Sequence, residues 1–333
     1  MTQAIKGFEK DWTCRGFQFA PGQTYTHPGP VKACAGGFHA IEGHPLEVFS
    51  YYPPATSRYA SVTLAGTLAR EEGADSKVAA EILTVGEEIA LADIIGRAVD
   101  YVTSHAKTAK GASVKAERGA AQASGDYGAA QASGDRGAAQ ATGYRGAAQA
   151  SGDYGAAQAS GDYGAAQASG NYGAAQASGY NGAAQASGDR GAAQATGYHG
   201  AAQASGDHGA SQATGDHGAS QATGYLGAAQ ATGDRGAAQA TGYRGAAQAT
   251  GYRGAAQATG YLGAAQALGQ HGTALASGEG GKVSGKKGCA LFLVYHQPST
   301  GAVLHAWAGI VGQNGIKPDV FYTLNADGQP EEA

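Results

Sequence analysis

The N-terminal third of the sequence contains cysteine and histidine side chains that could bind a metal or form an activated nucleophile. The candidates are Cys14, Cys34 and His39, with His27 and His44 nearby. A structural zinc site usually takes four ligands in recognisable pairs, and no Cys-x-x-Cys pair is present. A Cys–His nucleophile would need a third group to orient the histidine and a cleft around it. We therefore expect core thiols and structural histidines, with no catalytic residue, no metal and no cofactor. An enzyme or small-ligand-binding activity in residues 1–109 is kept as an alternative.

A second set of side chains could recognise a surface, and it occupies the variable positions of a repeat. The nonapeptide G-A-A-Q-A-[S/T]-G-x-x recurs without insertion, with Gln at every ninth position from Gln122 to Gln266. Tyr and Arg, frequent at x-x, stack on sugar rings and bases and dominate protein–protein hot spots. The candidate recognition edge consists of Tyr144, Arg145, Tyr198, His199, Tyr243, Arg244, Tyr252 and Arg253. The alternative is a set of solvated turns in which any polar residue is tolerated.

The constant residues of the repeat exclude several structures. Two glycines per unit would cost an α-helix about 1 kcal/mol each. Disordered low-complexity sequence would drift in phase, which this array does not do. A collagen triple helix admits only Gly at its axis, and Gln would occupy that position in every third triplet. A bundle of polyproline-II-like strands survives this test and is kept as a minor alternative.

The repeat predicts a β-solenoid. The residues A-A-Q-A-[S/T] form a strand, and G-x-x-G forms a turn whose glycines can take positive φ. Two units per coil give about nine coils, and at about 4.8 Å per rung the body is roughly 45 Å long. Odd and even units show no systematic difference, so neither edge of the solenoid is specialised by sequence.

The two faces of each strand follow from its two-residue period. Ala121 and Ala123 share one face, and Gln122 and Ser124 share the other. We expect the alanines inside, because a thin core has little room for Gln and every buried amide needs partners. A buried amide ladder is the alternative. The ladder residues at the start of the array are Gln122, Gln131, Gln140, Gln149, Ser124, Ser133 and Thr142. An outward ladder is also a flat face that could order water, as in ice binding, although Gln rather than Thr is invariant here.

Composition divides this mainly β chain into three regions: an α+β head domain at 1–109, the solenoid at 110–288 and a C-terminal β-meander cap at 289–333. In the head, His44–Tyr52 predicts a two-turn helix, Arg58–Leu68 a strand and Glu87–Ser104 an amphipathic helix. Lys107–Lys110 predicts a linker. The meander strands are expected over Cys289–His296, Ala302–Val311 and Val320–Leu324.

Charge and cysteine content limit the class of protein. The net charge of -4 and the 14% of charged residues disfavour phosphate-driven nucleic-acid binding. Three widely spaced cysteines do not suggest a disulfide framework. No apolar signal segment is present at the N-terminus, and the longest apolar run, Ala290–Tyr295, is too short to span a bilayer. These features predict a cytoplasmic or virion-associated protein.

The repeat resembles the heads of trimeric autotransporter adhesins, whose coils use A-x-A-[ST]-G-x-x-[SG], and less closely the G-Y-G-S-T-Q-T-A units of ice nucleation proteins. The N-terminal segments are more specific. Lys6–Phe8, Thr13–Gln18, Cys34–Ala40 and Tyr51–Pro54 resemble an uncharacterised domain of phage and bacterial proteins, often followed by Ala/Thr/Gly repeats and a segment like Ile316–Asp319. The resemblance implies the architecture and a mobile-element setting, and no established activity.

These features predict a non-enzymatic structural or interaction protein, a rigid repeat scaffold of phage or prophage origin. It would bind a partner through its turn residues or its terminal domains. The expected partner is a protein or glycan surface, and the Ala-rich faces favour a homo-oligomer because they can stack. An ice- or glycan-binding surface protein is the alternative.

Overall fold

The protein is a β-solenoid with a head domain docked on its side. The computed structural model describes residues 1–33, 35–70, 76–105 and 112–333. Each coil contains two nonapeptides, as predicted, and successive strands alternate between two parallel sheets. In-register residues such as Gln131 and Gln149 are 18 positions apart. The solenoid has about ten coils, more than predicted, because the phase continues to the strand Lys282–Gly285.

The head domain is a small antiparallel sheet that closes on itself. Its elements are β1 (Thr2–Glu9), β2 (Thr13–Cys14), β3 (Phe17–Gln18), β4 (Thr24–Thr26), β5 (Phe38–Ile41), a 3-10 helix (Pro45–Ser50), β6 (Ser57–Arg70), β7 (Lys77–Glu88) and α1 (Leu91–His105). Strand β6 pairs with β1 and β7, and β5 joins β1 to β7. The apolar residues Phe8, Val62, Leu64 and Leu83 fill the interior, because they alternate along these strands.

The predicted head elements are only partly observed. The strand expected over Arg58–Leu68 lies within β6. The helix expected over Glu87–Ser104 begins at Leu91, because Glu87 and Glu88 complete β7. The two-turn helix expected over His44–Tyr52 is a shorter 3-10 helix. The predicted linker, Lys107–Lys110, falls outside the described residues.

The solenoid strands belong to two sheets. The first sheet contains β8 (Ala112–Val114), β10 (Ala129–Ala132), β12 (Ala147–Ala150), β14 (Ala165–Ala168), β16 (Ala183–Ala186), β18 (Ala201–Ala204), β20 (Ala219–Thr223), β22 (Ala237–Thr241), β24 (Ala255–Ala258) and β26 (Thr273–Ala276). The second sheet contains β9 (Ala120–Ser124), β11 (Ala138–Thr142), β13 (Ala156–Ser160), β15 (Ala174–Ser178), β17 (Ala192–Thr196), β19 (Ala210–Thr214), β21 (Ala228–Thr232), β23 (Ala246–Ala249), β25 (Ala264–Ala267) and β27 (Lys282–Gly285).

The core between the two sheets is almost entirely alanine. Ala121 and Ala123 are 2% and 3% exposed, so the expected inward face is confirmed. Two adjacent units place serine at an inward position, Ser211 and Ser220, and these face each other across the core. Their hydroxyls are 2.7 Å apart, and Ser220 Oγ also donates to the Ser211 carbonyl oxygen at 2.7 Å. The two buried hydroxyls therefore have each other as hydrogen-bond partners, as buried polar groups require.

The first glycine of each turn is constant because the coils stack directly on it. A Cβ added at Gly161 would lie 1.7 Å from the carbonyl oxygen of Gly143, one coil away. Backbone atoms of a parallel ladder cannot move apart without breaking its hydrogen bonds. At Gly125, near the N-terminal end of the array, an added Cβ would meet no atom within 4 Å. Stacking, and not only turn geometry, therefore selects glycine in the interior coils.

The head domain packs against the outer face of the first sheet, where α1 lies across β12, β14, β16 and β18. The first alanine of these strands is at most 2% exposed at Ala147, Ala165, Ala183 and Ala201. The equivalent alanine of the second sheet is exposed, as at Ala174. The two outer faces of the solenoid therefore differ in burial, although odd and even units show no systematic difference in sequence. Identical units form two different surfaces because one of them is covered by the head.

The C-terminal residues close both sheets. β28 (Ala290–His296) adds parallel to β26, and β29 (Val303–Ile310) returns antiparallel to it. β30 (Tyr322–Leu324) pairs with β27 and with β31 (Pro330–Glu332). The predicted strand cap is confirmed, but the prediction that its strands form a single meander is wrong. Each sheet has its own terminal hairpin because the solenoid presents two separate open edges.

Candidate functional site

The glutamine side chains form a ladder on the outer faces. Gln122 Nε2 donates to Gln140 Oε1 at 2.8 Å, and Gln131 Nε2 donates to Gln149 Oε1 at 3.0 Å. Ser124 and Thr142 lie in register beside the ladder. The buried-amide alternative is wrong, since the amides bond from coil to coil outside the alanine core. This explains why Gln is constant even though it faces outward.

The predicted recognition residues lie on two edges of the solenoid. We call the turns that run from the second sheet to the first the near edge, and those that run from the first to the second the far edge. The near edge holds Tyr144, Arg145, Tyr198, His199, Tyr252 and Arg253. Tyr243 and Arg244 lie on the far edge. The eight side chains therefore do not form one continuous row.

Arg145 lies under the head and forms an ion pair with Glu47 of the 3-10 helix. The Glu47 side chain is 1% exposed, and its second oxygen accepts the Ser76 backbone N–H at 2.9 Å. The Arg145 guanidinium lies 5.4 Å from the Tyr127 ring centroid and 5.1 Å from that of Tyr144. A buried carboxylate is tolerated only when it is paired in this way. Arg145 thus fastens the head to the solenoid.

A chain of polar contacts continues this interface along the near edge. Buried Asn181 donates from Nδ2 to Ser50 Oγ at 2.9 Å, and His199 Nδ1 lies 3.0 Å from Asn181 Oδ1. Ser50 Oγ is also 3.2 Å from the Tyr163 hydroxyl. Burial, and then the charge of His217, lower the pKa of His199 to about 4. His199 is therefore neutral at pH 7, and like Arg145 it is engaged within the molecule.

The N-terminal half of the far edge carries an acidic ladder. Asp135 Oδ1 accepts the Asp153 backbone N–H at 3.2 Å, and Asp153 Oδ1 accepts that of Asn171 at 2.8 Å. The rings of Tyr154 and Tyr172 stack beside it with centroids 4.8 Å apart. A carboxylate or amide at the first variable position therefore accepts a hydrogen bond from the backbone N–H of the equivalent residue in the next coil, in place of water.

The C-terminal half of the far edge carries a tyrosine stack, which we define as Tyr225, Tyr243 and Tyr261. Their ring centroids are 4.8 Å and 5.0 Å apart. Tyr225 is 50% exposed and Tyr261 is 43% exposed. The Arg244 guanidinium lies 5.4 Å from the Tyr243 ring centroid. The coil spacing thus places three rings in one column, with exposed rings at its two ends and partly buried Tyr243 between them.

The head contains a cavity of about 560 Å³ between β1, β5 and the β2–β3 hairpin. Lys6, only 3% exposed, lies at its wall. Its Nζ donates to the His39 carbonyl oxygen at 2.9 Å and to Cys14 Sγ at 3.3 Å. The Tyr52 hydroxyl lies 2.7 Å from Cys14 Sγ. Cys14 and His39, both predicted as head candidates, therefore line the same cavity.

The electrostatics of the cavity follow from burial and from its cations. Burial lowers the pKa of Lys6, and the nearby Cys14 opposes this shift. Burial, and then the hydrogen bond to Cys14, raise the pKa of Tyr52. Burial, followed by the charges of Lys6, Lys77 and Arg15, lowers the pKa of His39. The third predicted candidate, Cys34, lies outside the described residues.

Sequence reasoning missed Lys6 and Tyr52. A signal for Lys6 is its place in the run Ala4–Phe8, a strand whose other members are apolar or glycine.

Within the described parts of the chain, no three His, Cys, Asp or Glu side chains are grouped so that they could hold a metal ion. In the same ranges, no helix is long and apolar enough to cross a membrane.

The geometry defines the class: a β-solenoid repeat protein with a laterally docked N-terminal domain and a capped C-terminal end. Residues 2–97, which form most of the head, match the model of a family described as a domain of unknown function (DUF7666). No curated protein and no solved structure matches the chain. The family match covers the head, so the character of the solenoid rests on the repeat and its geometry.

Proposed function

We propose that the protein is a non-enzymatic structural and interaction protein. In this proposal the rigid solenoid holds the head in a fixed place and presents the tyrosine stack to a partner protein. The repeat scaffold supports a structural role. The observation that carries the interaction role is the stacked column of Tyr225, Tyr243 and Tyr261 on the far edge, whose two end rings are exposed.

A partner gains affinity from such a column because it is already ordered. Large side chains held by stacking lose little conformational entropy on binding. Tyrosine and arginine are also enriched among the residues that dominate protein interfaces. Arg244 and half-exposed Leu226 extend the column with a cation and an apolar side chain. The near edge is less suited to this role where the head occupies it.

A capture experiment tests the proposal. The full chain and a Tyr225→Ser/Tyr243→Ser/Tyr261→Ser variant are used as baits in host lysate and in an envelope fraction. We expect a partner that the wild type retains and the variant loses. The control is Asp189→Asn/Asp207→Asn, which changes two exposed residues of the same edge and should retain the partner. Equal recovery by all three baits would contradict the assignment to the tyrosine stack.

A glycan is the second candidate partner, since sugar rings pack on exposed tyrosine faces. A glycan array probed with the same three proteins separates the two cases. Binding to sugars that is lost only in the tyrosine variant would favour the glycan.

We also propose a phage or prophage origin and a cytoplasmic or virion-associated location, supported by the resemblance of the N-terminal segments. Mass spectrometry of purified particles from an induced host tests this. The exposed alanines of the second sheet support a homo-oligomer, which light scattering of the full chain checks. Monomers at all concentrations would exclude it.

A further inference from the structure

The head cavity carries more positive than negative charge. Among the described residues that line it, Lys6, Arg15 and Lys77 are cations and Glu9 is the one carboxylate. After burial, the charges of these cations lower the pKa of His39, which also lines the cavity. A bound anion would lower the electrostatic energy of these like charges. The attraction is strong in a partly buried site, because the effective dielectric constant there is lower than in water.

Arg15 is held at this cavity by a tight turn. It is the first residue of the two-residue turn between β2 and β3, and Gly16 is the second. Their φ angles are 51° and 77°, as in a type I′ turn, which usually begins with Asn, Asp or Gly. Arg15 is exposed, and within the described residues it has no carboxylate in ion-pair contact.

Two further features of the cavity wall suit a ligand. The Phe17 ring is 45% exposed, and its centroid lies 5.6 Å from that of the Phe38 ring at an interplanar angle of 60°, so the two rings form an angled apolar wall. On the same wall, His39 Nε2 is buried and has no hydrogen-bond partner among the described residues. Buried polar atoms are nearly always hydrogen-bonded, so a water molecule or a ligand can supply the partner of this nitrogen.

We propose that the head cavity binds a small organic anion, a carboxylate or a phosphate monoester, that has an apolar body. Arg15 and Lys6 bind the anionic group, His39 Nε2 forms a further hydrogen bond, and Phe17 and Phe38 cover the apolar body. The volume of about 560 Å³ lies in the range of small-molecule sites. This site is independent of the tyrosine stack and of any partner bound there.

Protection of Cys14 from alkylation tests the proposal in the full chain. Cys14 lines the cavity and Cys289 is fully buried, so a Cys34→Ser background makes iodoacetamide labelling report on Cys14. The probes are benzoate, phenyl phosphate and the neutral analogue benzamide, and free glutathione corrects for direct effects on the reagent. At about ten times its dissociation constant, a bound anion should slow labelling about tenfold, because only the free protein reacts.

The variants distinguish protection that depends on anion binding at Arg15 from a general change in the access of the reagent to the cavity. Arg15→Gln should abolish protection, Arg15→Lys should retain part of it, and Arg136→Gln, an exposed arginine of the solenoid, should leave it unchanged. Melting curves verify that each variant is folded. Protection by benzoate alone identifies a carboxylate site, and protection by phenyl phosphate alone identifies a phosphate site. The proposal is overturned if neither anion protects Cys14, if benzamide protects it equally, or if Arg15→Gln retains full protection.

Discussion

In the first sheet, the alanine that begins each unit is buried from Ala147 to Ala201, whereas the same alanine of the second sheet is exposed, as at Ala156 and Ala174. Both sheets use the same Ala-Ala-Gln-Ala strand, and both form the same outward glutamine ladder. The difference comes from α1, which lies on the first sheet alone over these coils. A uniform repeat therefore builds the scaffold, and a non-repetitive domain makes one of its faces different from the other.

The variable turn residues determine where the head docks. On consecutive near-edge turns the second variable position is Tyr127, Arg145, Tyr163, Asn181 and His199. Arg145 pairs with Glu47, and Asn181 donates to Ser50. Since the surrounding alanines are the same in every coil, the variable turn residues distinguish one docking position from the next. Sequence variation in the array thus has a structural role in addition to any role in recognition.

The largest expected effect comes from a charge placed on the buried face. Ala183→Glu introduces a carboxylate under α1, where Ala183 is 0% exposed, and should lower the free energy of unfolding by about 4 kcal/mol or release the head. Ala174→Glu, at the equivalent exposed position of the second sheet, should change it by less than about 0.5 kcal/mol. Urea denaturation and hydrogen exchange of the α1 amides measure both. Similar losses in the two variants would show that the head does not protect the first sheet.

The second largest effect is expected at the ion pair. Arg145→Ala leaves Glu47 buried with only its Ser76 bonds, and should cost about 3 kcal/mol. Arg136, on the far edge, is 54% exposed and lies 3.9 Å from exposed Glu117, so Arg136→Ala should cost less than about 0.5 kcal/mol. Thermal and urea denaturation provide the comparison. If Arg145→Ala is as stable as Arg136→Ala, the pair does not hold the head.

The sequence predicts the solenoid well because its repeat is strict. Phase, the glycine-bounded turns and the inward alanines follow from local rules that each unit repeats. Docking of the head could not be predicted in this way, since it depends on contacts such as Glu47 with Arg145, which are far apart in sequence. The head cavity was missed for a similar reason. Lys6, Cys14, His39 and Tyr52 lie on different elements, and only the closed sheet of the head brings them together.

A smaller effect is expected from pH at His199. Its pKa falls from 6.5 to about 4 in the folded protein because of burial and then the charge of His217. The unfolded chain therefore binds the proton first as pH falls. Stability from this group is complete well above pH 6.5 and declines toward pH 4, and the loss is about 2 kcal/mol at pH 5. Urea denaturation at pH 7 and pH 5 measures the loss, which should be reduced in His199→Asn.

The matched control for His199 is His208→Asn, which changes an exposed histidine of the far edge. It should retain the full pH dependence of the wild type. An unchanged pH dependence in His199→Asn would mean that the acid sensitivity arises from other groups of the protein.

The smallest effect concerns the glutamine ladder, which both sheets share. Gln176→Ala removes two rungs of the exposed second sheet, Gln158 to Gln176 and Gln176 to Gln194. Because water can replace these bonds, the expected cost is about 0.5 kcal/mol. Gln185→Ala removes a partly buried rung of the first sheet beside α1, where water competes less, and should cost about 1 kcal/mol. Urea denaturation measures the difference. A larger cost at Gln176 would indicate that the ladder matters most where the head does not support the coils.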